Sequence, residues 1–470
     1  NNELSSNFIG SFGASIRGGI LRFNYTNNTE KIFQPISSAE IQIKVQKANE
    51  AFVNWKNTTR EQRIELFENL ITILQKRKRE LAILISTEMG KLIAEAVTEI
   101  DKSITNFRYY IGNSEMFLQD EPVELEYGKG LLIKEPVGII LAVMPWNFPF
   151  WQVYRFAAPA LLAGNVALLK HASNVPQCSL MIEQIFIDAG FPAGVFQSLL
   201  IEAKQVDEVL ENDLIKAVTL TGSEKAGAHV ASKAASQIKK AVLELGGSDA
   251  FVVMEDADMK KAISTAVKSR LINCGQSCIA AKRFIVHEKV SEAFCKGLKD
   301  AFANYQLGNP LDTSTTLAPL AKKELVDDLE KQISISVKMG AKILCGGKRL
   351  NVSGNYFEPT IVIDVKPDMP VFNEETFGPI AAIVTFKTND EAVDLANNTR
   401  FGLGGSVWTE NREQGLMLAK KINSGSVYVN HLMKSDSRLP FGGINKSGFG
   451  KELSQFGFNE WMNIKSVVIA

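Results

Sequence analysis

Between residues 166 and 243 short apolar runs alternate with amphipathic stretches, and this alternation restricts the fold more than any other feature. Residues 166–169, 195–200, 218–220 and 241–243 read as buried strands. Helical stretches over 176–189, 206–211 and 226–235 separate them. Strand, helix, strand in that order predicts parallel pairing through right-handed crossovers, hence a doubly wound α/β sheet. A second α/β run begins near Asp249 and continues through 284–287, 341–344, 406–408 and 427–429. Gly246-Gly247 lies between the two runs and is the candidate hinge.

The flanks follow other periods. Residues 38–99 are helical in pattern: Ser37 or Ser38 can cap a run with Ile41, Val45 and Ala48 on one face. Thr59 opens another run, with Ile64, Phe67, Ile71 and Leu74 inward. Val123, Leu125 and Tyr127 alternate with glutamates, and Gly128-Lys129-Gly130 is the expected turn of a β-hairpin. Residues 464–469 read as a closing strand.

Charge and composition exclude several classes. Lys+Arg and Asp+Glu both number 52, so the basic footprint of a nucleic-acid binder is missing. The longest apolar run, 137–144, stops at Pro145, which suits a buried strand and is too short for a membrane span. The cysteines are Cys178, Cys274, Cys278, Cys295 and Cys345, an odd number without paired zinc spacing. Neither a disulfide framework nor a metal site is expected, and a reducing, cytoplasmic setting is the simpler reading. Residues 1–20, rich in Asn, Ser and Gly, lack the apolar core of a secretory signal and read as a flexible segment.

Four short motifs can carry chemistry. Gly275-Gln276-Ser277-Cys278 offers a thiol after a glycine loop, as a nucleophile or as a packed core cysteine. Glu244 ends a strand beside Leu245-Gly246-Gly247, as a general base or as an ordinary surface carboxylate. Pro145-Trp146-Asn147-Phe148-Pro149 follows a buried strand; its Asn amide can meet a developing oxyanion or simply complete a rigid turn. Thr221-Gly222-Ser223 joins strand to helix, where a helix N-terminus can bind pyrophosphate or stand as a plain capped turn. No Gly-x-Gly-x-x-Gly follows any strand, so a dinucleotide would not be held by the usual fingerprint.

In this order, with Cys278 placed 34 residues after Glu244, the motifs resemble the NAD(P)-dependent aldehyde dehydrogenase superfamily. Glu374-Glu375-Thr376-Phe377-Gly378-Pro379 and Pro440-Phe441-Gly442-Gly443 extend the likeness over roughly residues 22–470. The resemblance implies a dinucleotide-binding domain (21–117 and 137–246), a catalytic domain (247–438) and a small β oligomerisation element (118–136 and 458–470). A homodimer or homotetramer acting on a small aldehyde is then expected, without nucleic-acid or membrane partners. Cys278 would be the nucleophile, Asn147 an oxyanion donor and Glu244 the base for water. Trp146, Lys170, Thr221, Gly222, Ser223, Leu245, Glu375 and Phe377 would line the cofactor site. Glu452 falls where the family often has a supporting glutamate.

One departure bears on the cofactor. Many NAD-dependent members carry a Glu three residues after the lysine, but here the run is Lys170-His171-Ala172-Ser173. Without that carboxylate, Lys170 and Ser173 can accept a 2′-phosphate, so NADP or dual NADP/NAD use is expected. That run, Arg155 and Ser435 together resemble a bacterial succinate-semialdehyde dehydrogenase, and Trp151 would share a helix face with Arg155 near the substrate cleft. Arg155 would clamp the substrate carboxylate, or form an internal salt bridge. Other short or acidic aldehydes stay open as substrates. So does a cysteine hydrolase or acyltransferase, although His171, His229, His287 and His431 all lie outside any nucleophile–base motif. Cys274, four residues before Cys278, could form a reversible disulfide with it or merely pack.

Overall fold

The computed structural model describes residues 20–23, 30–352 and 354–470; the N-terminal segment expected to be flexible lies outside these, Ile20 apart. Capping starts the chain's first long helices. Ser37 and Glu40 form a reciprocal capping box at Ser38–Trp55, and Thr59 and Gln62 form another at Arg60–Met89. A third helix, Ile93–Leu118, packs along the second.

Six strands form the first sheet, in the order Gly448–Phe449, Lys240–Glu244, Ile215–Thr221, Ile139–Met144, Val166–His171, Phe196–Ser198. All pairs are parallel except the first, which is antiparallel. The winding starts at Ile139–Met144, runs outward to Phe196–Ser198, then returns to Ile215–Thr221 on the other side. Strand order therefore reverses between Ile139–Met144 and Ile215–Thr221, and a crevice opens beyond their carboxyl ends. Trp146-Asn147 and Gly222-Ser223 follow those two ends.

The second sheet has seven strands, ordered Lys342–Cys345, Thr360–Ile363, Ile380–Phe386, Ala281–His287, Asp249–Val253, Gly404–Trp408, Ser426–Val429. Only its outer pair, Lys342–Cys345 with Thr360–Ile363, is antiparallel. Each large sheet has its own apolar core.

A third, antiparallel sheet joins Glu121–Leu125, Gly128–Pro136 and Met462–Ile469. Its hairpin turns at Glu126-Tyr127, two residues before the expected Gly128-Lys129-Gly130. Gly128 instead opens the second strand, where a Cβ would stand 2.2 Å from the carbonyl oxygen of Ile469 on the crossing strand. A short ladder, Ile20–Phe23 with Glu30–Phe33, was not foreseen. Among the described residues no helix is long and apolar enough to cross a membrane.

Candidate active site

Cys278 lies on the loop that leads into Ala281–His287, the central strand of the second sheet. The loop is held tightly from several sides. Arg270 donates to the carbonyls of Ala281 (2.9 Å) and Gly275 (2.7 Å), and Lys282 Nζ donates to those of Ser277 (3.0 Å) and Cys278 (2.8 Å). Asn273 and Cys274 both take left-handed backbone angles, φ 50° and 54°. Such strain persists only where surrounding bonds over-determine it. Here the Asn273 side chain donates to Asn147 O at 2.9 Å and its backbone N–H to Glu95 at 2.9 Å.

Glu244, at the end of Lys240–Glu244, faces the thiol across the inter-sheet cleft. Cys278 Sγ donates to Glu244 Oε1 at 3.1 Å. Burial, the charge of Glu244 and the bond to it hold the thiol well above its usual pKa, so the resting sulfur keeps its proton. Glu244 Oε2 meets Arg155 Nη2 at 2.5 Å, and the same nitrogen stands 2.5 Å from Glu452 Oε2. Burial raises the pKa of Glu452; Arg155 opposes the rise and Glu244 adds to it. Burial also works against the charge of Arg155, but Glu452 and Glu244 outweigh it and raise its pKa.

Asn147 sits on the segment between Ile139–Met144 and the helix Trp151–Leu162. Glu99 caps that helix from a neighbouring one, accepting from the N–H groups of Phe150 (2.8 Å) and Trp151 (3.0 Å). Its other oxygen pairs with buried Lys91 at 2.5 Å, whose ammonium lies 3.7 Å from the centre of the Phe148 ring. His171 pins the same segment: Nε2 meets Pro149 O at 2.9 Å, while Nδ1 accepts from Ala172 N–H at 2.9 Å. That network needs the neutral ring, and burial lowers the His171 pKa to about 4, against the pull of the Pro149 and Met144 carbonyls. Asn147 Nδ2 donates to Gln276 O at 3.2 Å, which spends one of its two hydrogens. That bond ties Asn147 to the Cys278 loop, two residues before the thiol.

A cavity of about 520 Å³ opens over Cys278, lined also by Trp151, Arg155, Ser435, Lys102 and Phe441. A wider cleft of about 960 Å³ runs between the sheets, with Ser223, Glu375, Arg400 and Phe401 in its walls. Ser223 caps the helix Glu224–Ser236. Glu375 accepts from Gly247 N–H at 3.1 Å and pairs with Lys282 at 3.4 Å; a Cβ on Gly246 would lie 2.4 Å from its carboxylate. Trp146 meets Phe377 edge-on, with centroids 5.9 Å apart. Lys170 is the penultimate residue of the strand Val166–His171, with Ser173 exposed on the turn beyond, and no carboxylate lies within ion-pair distance of Lys170 among the described residues. Burial lowers Lys170 to about 8, helped by the neighbouring charge of Lys322. An uncompensated lysine pair, a capped helix N-terminus and glycine-lined backbone fit a phosphorylated dinucleotide.

The pattern of the aldehyde dehydrogenase family matches residues 24–467. The chain belongs to that family. A relative from Synechocystis sp. (strain PCC 6803), named probable succinate-semialdehyde dehydrogenase (NADP(+)), is 48% identical over 445 residues, covering 95% of this chain and 98% of that protein. Succinate-semialdehyde dehydrogenase (NADP(+)) 1 of Mycobacterium tuberculosis (strain H37Rv) is 43% identical over 452 residues, with 95% and 98% covered. The crystal structure of succinic semialdehyde dehydrogenase from Streptococcus pyogenes in complex with NADP+ superposes with a TM-score of 0.93 at 34% identity, covering 96% of this chain and all of that one (100%).

Within this aldehyde dehydrogenase the structure brings Cys278 and Glu244 into contact and bonds Asn147 to the loop that carries Cys278, but it corrects other expectations. Arg155 is not a free clamp: two buried glutamates already meet its charge, and a substrate carboxylate there would be a third anion on one guanidinium. Thr221 reaches the Arg155 guanidinium. Its buried hydroxyl accepts from Arg155 Nη2 at 3.3 Å, on the Glu244 side. Gly222 and Leu245 act through backbone: Gly222 N–H donates to Glu244 O at 3.0 Å, and Leu245 N–H to Ser447 O at 3.0 Å. Cys274 is a free thiol packed in the second core, its pKa raised by burial. Lys102 and Glu99 were missed. Glu95, Glu99 and Lys102 recur at i, i+4 and i+7, a shared helix face that their charges disguised as solvent-facing.

Proposed function

We propose that this enzyme oxidises succinic semialdehyde to succinate, with NADP as preferred acceptor or NADP and NAD both used. The observation that carries the chemistry is the Cys278 Sγ–Glu244 Oε1 contact of 3.1 Å at the floor of the cavity. Glu244 takes the thiol proton, and the sulfur attacks the aldehyde carbon to form a thiohemiacetal. The free hydrogen of Asn147 Nδ2 and the backbone N–H of Cys278 meet the oxyanion. Bound NADP supplies the acceptor for the hydride that leaves this carbon. A thioester on Cys278 remains. Glu244 first gives the thiol proton up to solvent; oriented by Arg155, it then draws a proton from water, whose attack on the thioester releases succinate, and passes that proton to the departing thiolate. Lys170 and Ser173, free of a nearby carboxylate, support recognition of a 2′-phosphate. The three-stranded sheet, with strand edges at both sides, supports pairing with further copies into a dimer or tetramer, and the sparse free cysteines support a cytoplasmic setting.

The test is steady-state turnover at 340 nm with NADP and NAD, using succinic semialdehyde and the uncharged butanal. A higher kcat/KM for the semialdehyde with NADP is expected, and Cys278→Ala should abolish it. Preference for butanal, or for NAD alone, would refute the corresponding half of the proposal.

A further inference from the structure

Of the three lysines that line the cavity over Cys278, only Lys102 is not exposed, and among the described residues no carboxylate pairs with it. Lys102, on the helix Ile93–Leu118, points its ammonium into the same cavity as the thiol. Among the described residues it forms no ion pair within 4.0 Å. Its nitrogen instead donates to Ser435 Oγ at 2.5 Å and sits 4.2 Å from the centre of the Trp151 ring. Ser435 accepts that bond from a loop 333 residues further along, so the contact joins two distant parts of the chain. Two other lysines, Lys268 and Lys434, line the cavity but are exposed, where water screens their charge. Arg155 is already neutralised.

We propose that Lys102 is the specificity-determining cation that holds the far carboxylate of the substrate, with Ser435 aiming its ammonium and Trp151 supporting it from below. The ligand class is an aldehyde that carries a carboxylate at its other end. This rests on the acidic-aldehyde reading above and names the residue that enforces it. An aromatic face and a hydroxyl stabilise an ammonium only in part. The carboxylate completes the set, and an aldehyde without one leaves the cation unmet.

The pH response follows from the neighbours. Burial lowers Lys102 to about 7, and Arg155 and Lys91 repel its charge while Glu99 and Cys278 favour it. The ammonium is therefore partly lost in the free enzyme just above neutrality. A bound carboxylate favours the charged form, so its affinity falls as pH rises past about 7. A guanidinium in the same role would not titrate in this range.

The experiment compares KM for succinic semialdehyde and for butanal in the wild type, Lys102→Met and Lys102→Arg. Lys102→Met should raise KM for the semialdehyde on the order of 100-fold and leave butanal within about threefold. Lys102→Arg should keep most of the discrimination. In the wild type the ratio of the two KM values should climb between pH 7 and 8.5, by up to about tenfold per unit, a measurement that needs no folded variant. Lys102→Met with the wild-type ratio, or a flat wild-type profile, overturns the inference while the substrate reading stands. A wild type that does not distinguish the two aldehydes overturns both.

Discussion

His171 couples the acid stability of the enzyme to the placement of Asn147. It is buried, and its neutral ring bridges Pro149 O and Ala172 N–H, which fixes the segment bearing Asn147. Protonation would put a second N–H where Nδ1 must accept. The folded pKa is about 4 against an unfolded value of 6.5. Above pH 6.5 both states hold the neutral ring, and the stabilisation is whole. Below it the unfolded chain binds the proton first, so stability is lost as pH falls towards 4. The full loss is about 3 kcal/mol, and about 2 kcal/mol of it falls between pH 7 and 5. Urea unfolding at both pH values, in the wild type and in His171→Gln, isolates the contribution. Glutamine keeps a donor and an acceptor but does not titrate. Subtracting the two proteins cancels the other titrating groups, among them buried Asp249, whose pKa burial raises to about 7. The wild type should lose about 2 kcal/mol more than the variant on going from pH 7 to 5. Equal losses would refute the assignment of a buried, neutral His171.

Three further outcomes are expected. Asn147→Ala should lower kcat by roughly 100- to 1000-fold with little change in KM, as measured at saturating cofactor. Arg155→Met should lower kcat/KM for succinic semialdehyde and butanal alike and cost about 3–5 kcal/mol of stability, partly restored by adding Glu452→Gln; a loss confined to the semialdehyde would return the guanidinium to the substrate. Ser173→Glu should lower the NADP-to-NAD ratio of kcat/KM on the order of 100-fold, since a carboxylate would face the 2′-phosphate; an unchanged ratio would place that phosphate elsewhere.

Much of the architecture was legible because parallel sheets write their strands as continuous apolar runs. Residues 166–169 extend by two positions at one end, to Val166–His171, and 218–220 by three before and one after, to Ile215–Thr221. Cys278 and Glu244 were legible because one closes the Gly-Gln-Ser-Cys run and the other opens Glu-Leu-Gly-Gly. Arg155 stayed open between clamp and salt bridge because its second partner, Glu452, lies far along the chain and no local spacing links them. Lys102 was invisible for a different reason. A lysine on an amphipathic helix normally faces water, and only Ser435 and Trp151, from other elements, turn it inward.

The two-residue strand Gly448–Phe449 pairs with Glu244 and Leu243 at the edge of the first sheet. It has a consequence for the order of synthesis. Residues up to about 250 can emerge and build most of that sheet, yet the strand presenting Glu244 lacks its outer neighbour until residues 448–449 have been made. Glu452, which meets Arg155, arrives later still. Domains fold as they leave the ribosome, N-terminal first. A nascent or truncated chain would therefore carry Cys278 without the framework that activates it, and reactivity would switch on only when the last segment closes over the sheet edge.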